Sequence, residues 1–235
     1  MKLALDNGSI GEALHAADYA MYADLQLGRS AAAKALLDRL PSIAARFDPK
    51  AVIGAAPPSA GYFALAAIPA RWVLERRAWT EAAALVPRQT DYPYTEAMTY
   101  FARALGAAHT GDLKSSRVAI DSLASIQRRL STAGEAYWAG QVEIQQLEAR
   151  AWLDLASKKP DSALARMNEA VVREDATEKS AVTPGPLAPA HEPLGDMLEA
   201  LGRPAEARAE YRATLVKEPN RRHALLGLGA VNKLD

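Results

Sequence analysis

Between Leu201 and Pro219 the chain spells out the end of one helix, a joint, and a complete second helix. Gly202 suits the left-handed position that ends a helix, because it has no side chain to clash there. Pro204 suits a first turn, where its missing N–H would have no partner in any case. Ala207, Tyr211 and Leu215 recur at i, i+4 and i+8 and form one apolar stripe. Pro219 stops the helix. The small Ala207 lets two helices approach closely, and Tyr211 fills the space beside it. A hairpin of this kind cannot bury its apolar face alone, so it implies neighbours built the same way.

The same punctuation recurs along the chain. Each unit aligns on the joint residue and on a small residue five positions later. The first has Gly28 and Ala33, followed by Leu37 and Leu40. In the second, Arg77 stands in the Gly slot before Ala82, and Pro87 cuts the second helix short. The third has Gly111 and Ser116, then Ile120 and Leu123; the fourth has Lys158 in the Gly slot, then Ala163 and Met167. The fifth is the Gly202–Ala207 unit. This spacing predicts one all-α domain over 1–235, with hairpins near 12–45, 60–86, 94–129, 132–173 and 188–217. A closing helix near 222–233, carrying Leu225, Leu228 and Val231, would cap the array. No alternating run of β-branched and aromatic residues bounded by hairpin turns competes with this pattern.

Two segments interrupt the array: Phe47 to Ala60, and Glu174 to Pro189 with its Thr183-Pro184-Gly185-Pro186. The second begins charged and ends Pro-rich. It joins two hairpins, so it either lies back across them or runs as a surface loop.

Composition fits close-packed helices. Hydrophobic residues are 49% of the chain but aromatics only 6%, so Ala and Leu, the best helix formers, carry the apolar content. Lys+Arg and Asp+Glu are 28 each, and this balance argues against a nucleic-acid partner. The absence of cysteine excludes disulfides, thiolate metal sites and cysteine nucleophiles. Three apolar residues before Asp6 are too few for a signal segment, and no run is long enough to span a membrane. The expected location is cytoplasmic, or periplasmic if a leader precedes this chain in a longer protein.

The Gly202–Pro219 signature, repeated by spacing elsewhere, resembles the tetratricopeptide (TPR) repeat, a helix–turn–helix unit of about 34 residues. Further stretches (His15-Ala16-Ala17-Asp18-Tyr19, Ile68-Pro69-Ala70-Arg71, and Val182-Thr183-Pro184-Gly185-Pro186-Leu187) look like the C-terminal half of larger bacterial TPR proteins of undefined function. The resemblance implies a right-handed α-solenoid whose first helices line a concave groove. It places His15, Asp18, Tyr22 and Gln26 in that groove, then Arg71 and Glu75, Met98, Phe101 and His109, Gln145, Glu148 and Trp152, and Glu192 and Asp196. Helical spacing independently puts His15, Asp18, Tyr22 and Gln26 on one face. Phe101 and Trp152 also suit packing between helices, and Glu192, Asp196 and Glu199 also suit a solvated face.

No nucleophile elbow, H-E-x-x-H, Walker loop or G-x-G-x-x-G occurs. His15 with Asp18 is one histidine and one carboxylate, too little for a metal or acid–base site by itself. The basic residues Arg203, Arg208, Arg212, Lys217, Arg221 and Arg222 alternate with Glu206, Glu210 and Glu218, which describes a compensated, solvated face. The expected function is a protein- or peptide-binding scaffold with no catalytic residues, no metal and no cofactor. Two rivals are a structural fragment that packs on missing repeats or forms a homodimer, and an enzyme on a helical repeat using His15 and Asp18.

Overall fold

A computed structural model describes residues 1–51, 53–180 and 182–229. These residues form twelve helices and no strand: α1 (Lys2–Asp6), α2 (Ile10–Gln26), α3 (Ser30–Ala44), α4 (Pro58–Glu75), α5 (Trp79–Ala83), α6 (Pro93–Thr110), α7 (Leu113–Thr132), α8 (Ala136–Ala156), α9 (Pro160–Asp175), α10 (His191–Ala200), α11 (Pro204–Lys217) and α12 (Arg222–Gly227). The pairs α2/α3, α4/α5, α6/α7, α8/α9 and α10/α11 pack as helical hairpins.

The joints explain the hairpins. All five expected slots hold the left-handed conformation: φ is 71° at Gly28, 54° at Arg77, 83° at Gly111, 60° at Lys158 and 73° at Gly202. The side chain five positions on is fully buried in every unit: Ala33, Ala82, Ser116, Ala163 and Ala207 each show 0% exposure. Only a small residue fits where two helix backbones meet. Ser116 brings a hydroxyl into this position and donates it to the Ala104 carbonyl at 3.1 Å. Proline opens α4, α6, α9 and α11, and Asp112 caps α7 by accepting from the Ser115 N–H.

Several boundaries differ from expectation for local reasons. α1 was not foreseen. α5 ends at Ala83 rather than near 86, and the Leu85 carbonyl beyond it accepts from Arg103 of α6. Gly134 adopts a positive φ of 78°, so α7 runs to Thr132 and α8 starts at Ala136 rather than near 132. α10 begins at His191, after the Pro-rich segment, rather than near 188. The closing helix is observed over Arg222–Gly227; Val231 and Lys233 of the expected cap lie outside the described residues.

Beyond the hairpins, α2 packs on α4, α4 on α6, and α6 on α8, so the first helices of successive units stand side by side and form an inner layer. This row is interrupted by the segment 176–190. α12 then returns to α2 as well as resting on α10 and α11. The end of the described chain therefore touches its first hairpin.

Candidate functional site

Three polar knots, two of them buried, line the inner face. The first centres on Arg71 of α4, which has no exposed surface. Its Nε donates to Asp18 at 2.8 Å. One terminal nitrogen donates to the Thr183 hydroxyl and the Gly185 carbonyl, at 2.9 Å each, and the other to the Pro186 carbonyl at 3.3 Å. The guanidinium also lies 5.4 Å from the Tyr22 ring centre. One side chain thus ties α2 to α4 and both to residues 183–186, which lie on the inner face.

The second knot centres on Arg221, only 2% exposed. It donates to Glu192 at 2.9 Å and to the Leu187 carbonyl at 3.2 Å. Its Nη1 stands 2.6 Å from Glu75 as an ion pair, although the angles are not those of a hydrogen bond. Against the pull of burial, the charges of Glu192 and Glu75 hold this guanidinium's pKa above its usual value. Beside it, the Arg222 N–H donates to Gln26 at 2.8 Å and the Tyr22 hydroxyl donates to Glu218 at 3.3 Å. These contacts clasp residues 218–222 onto α2, α4 and α10.

In the third knot, Asp196 accepts from the Tyr211 hydroxyl at 2.7 Å, from His223 at 2.8 Å, and from Arg77. Burial pushes its pKa up, but the bonds and charges of His223 and Arg77 win and hold it down to about 2. His109 stacks flat on Trp79 with ring centres 3.9 Å apart, and Trp152 lies 4.1 Å away at an angle. Burial, then the charge of Arg77, lower the His109 pKa to about 4, so its ring is neutral near pH 7.

Between these knots, the inner layer and residues 177–179, 183 and 185–189 line a cavity of about 420 Å³. α4, α6 and α8 supply an aromatic wall. Tyr94 stacks on Trp138 at 3.9 Å and 5° between planes, and Phe63 and Tyr137 approach the same indole at 6.1 and 5.0 Å. Met98 and Phe101 continue it. Glu148 of α8 faces the cavity at 1% exposure, and its Oε2 has no hydrogen-bond partner. Burial, then repulsion from Glu174 and Glu192, raise its pKa well above the usual carboxylate range. Glu174, which accepts from the Ala190 N–H at 2.8 Å, is raised by burial to about 7.

The residues expected in the groove therefore separate. Arg71, Met98, Phe101, Gln145 and Glu148 line the cavity. Glu75, His109, Trp152, Glu192 and Asp196 line a much smaller cleft, about 40 Å³, beside Arg221 and His223. Asp18, Tyr22 and Gln26 are engaged by Arg71, Glu218 and Arg222. The His15 and Tyr19 rings meet edge to face with centres 5.1 Å apart, while the Asp18 carboxylate turns to Arg71.

The sequence did not single out Phe63, Tyr94 or Trp138, which are 75 residues apart from first to last. Arg221 corrects an expectation: placed with the solvated basic run, it is instead buried between two carboxylates. Just before it, Asn220 takes a positive φ of 64°, a conformation that Asn adopts more readily than most residues.

Among the described residues, no group of three His, Cys, Asp or Glu side chains is placed to hold a metal ion. No described helix is long and apolar enough to cross a membrane. Compared with protein-family profiles, with curated proteins and with solved structures, the chain matches none.

Proposed function

We propose that this chain is a binding module: a TPR-like array of helical hairpins whose inner face, roofed by the 176–190 segment, takes a short piece of a peptide or partner protein. The observation that carries this reading is the cavity of about 420 Å³ at the middle of the inner face. That size suits a small ligand or one or two side chains. Its aromatic and Met walls offer apolar area, and its few polar groups set orientation, the division of labour common to recognition sites. The five regular joints and buried small residues support the repeat array. The side chains at the other end of the face are committed to each other, so an extended peptide has no continuous track there. Self-association through the inner face is disfavoured for the same reason, since the clasp would have to part first. No reaction is proposed.

A displayed random-peptide library tests this. Gln141 of α8 is half-buried on the cavity wall, so Gln141→Trp fills the cavity without entering the core between helices. Peptides enriched on the parent protein are expected to lose binding to this variant. Equal binding of every enriched peptide to both proteins would rule the cavity out as the site.

A further inference from the structure

The cavity's unspent hydrogen-bonding capacity has a sign. Among described side chains, six buried polar atoms have no hydrogen-bond partner, and the two that belong to cavity-lining residues are Gln145 Oε1 and Glu148 Oε2. Both are acceptors. The Gln145 amide can turn to offer either end, so the ionisable demand comes from Glu148, a carboxyl that burial keeps protonated until a cation stands beside it. A buried acid left without a partner costs stability, which makes its position facing a cavity informative.

The cations that border the cavity are already engaged. Arg71 is saturated by Asp18, Thr183, Gly185 and Pro186. Lys179 donates to the Pro184 carbonyl at 3.1 Å. Lys217 pairs with Asp175 at 2.9 Å, and His191 with Glu210 at 2.6 Å. None of these pairs reaches Glu148, whose electrostatic neighbours are the carboxylates Glu174 and Glu192. The buried ionisable group left over is therefore the Glu148 carboxyl, which becomes negative when a cation stands beside it and shares the cavity with Met98 and Phe101. A carboxylate beside aromatic walls is the combination that desolvates and holds an organic cation.

Resting on the binding-module reading above, we propose that the cavity recognises an alkylammonium group, with Glu148 as its counter-ion and the apolar lining that includes Met98 and Phe101 around its aliphatic stem. Two sources present this group: the side chain of a lysine in a peptide, and a free small amine. Loading draws the proton off Glu148, because a positive neighbour favours the charged form of the acid. An alcohol or a plain alkyl chain of the same length offers no such gain.

Isothermal titration calorimetry with matched pairs decides it. One pair is acetyl-Gly-Lys-Gly-amide and its norleucine counterpart; the other is n-pentylamine and n-pentanol. Each is titrated into the parent protein, Glu148→Gln and Gln141→Trp. Glu148→Gln keeps the shape and removes the charge, and its folding is checked by circular dichroism. The parent protein is expected to prefer the cation of at least one pair by about tenfold or more. Glu148→Gln should abolish that preference, leaving the uncharged partner unaffected. A Glu148-dependent preference in the peptide pair alone assigns the ligand to a lysine side chain; one that extends to pentylamine assigns it to the amine itself. If norleucine or pentanol binds as well as its cation, and Gln141→Trp blocks both, the cationic inference falls while the cavity remains a binding site. No binding of either cation at millimolar concentration, or a preference that survives Glu148→Gln, also overturns it.

Discussion

Arg77 and Lys158 hold positions where a side chain is a burden. Both occupy the left-handed region in joints where the other units use Gly. Left-handed backbone costs a residue with a Cβ roughly 1–2 kcal/mol, part of which Gly gives back through its freer unfolded state. Lys158 is exposed, so Lys158→Gly is expected to raise stability by up to about 1 kcal/mol; a lower denaturation midpoint would show that the joint is held by something else. At the neighbouring class of position the expectation reverses. Ala207→Leu inserts bulk where α10 and α11 meet with no free surface and should cost about 1–3 kcal/mol in chemical denaturation. Both positions were legible in the sequence, because a joint and a small residue five places on form a local pattern. Glu148 was placed on the inner face through the repeat register, but its isolation was not legible. That property depends on which charges other elements bring near it. Glu174 gives a further residue-scale test. Its pKa rises from an ordinary 4.5 to about 7 on folding, so between those values the native state holds a proton that the unfolded chain has lost. Its contribution is complete below pH 4.5 and disappears as pH rises through 7. Relative to Glu174→Gln, the parent protein should lose stability across that window. A constant difference between the two would show that Glu174 is solvated.

At the scale of elements, the 176–190 segment and the turn before α12 do what the helices do not. The helices follow from periodicity and punctuation, and nine of the twelve lie close to where spacing predicts them; α1 was missed, and α5 and α12 are shorter than expected. The Pro-rich segment was open to two readings, a strap across the groove or a surface loop, and Arg71 and Arg221 hold it on the inner face. Arg221 was missed because its partners, Glu75 and Glu192, come from other hairpins, while its sequence neighbours suggested solvent. Removing one member of a buried ion cluster leaves the others uncompensated, at about 3–5 kcal/mol. Arg221→Met is therefore expected to lower stability by that order in guanidinium chloride titration. Adding Glu75→Gln and Glu192→Gln should recover a substantial part. A loss no larger than that of an exposed arginine would mean the cluster is open to water.

For the whole molecule, the contact between α12 and α2 changes how unfolding is shared. In an open row of hairpins each unit leans only on its neighbours, and the end units fray first. Here α2 is held by Arg71, Glu218 and Arg222 as well as by α3 and α4. Native-state hydrogen exchange should give α2 and α11 protection similar to that of α6, with slow exchange at the Gly185 amide, which donates to Thr183. Rapid exchange throughout α2 beside a protected α6 would show that the clasp does not hold in solution.

Closure also fixes a count. Open repeat arrays gain and lose units readily, because a new hairpin needs only a neighbour on each side. In this chain Gln26 of the first hairpin must meet Arg222, and Glu75 of the second must meet Arg221, across the two hairpins α6/α7 and α8/α9 that intervene before the last. Duplicating or excising one of them would carry these partners apart by the width of a hairpin, stranding buried charges on both sides. The number of hairpins between the clasped ends is thus constrained as a single quantity, and homologous chains that keep Arg221, Arg222 and their partners should change length within their loops and not by whole hairpins.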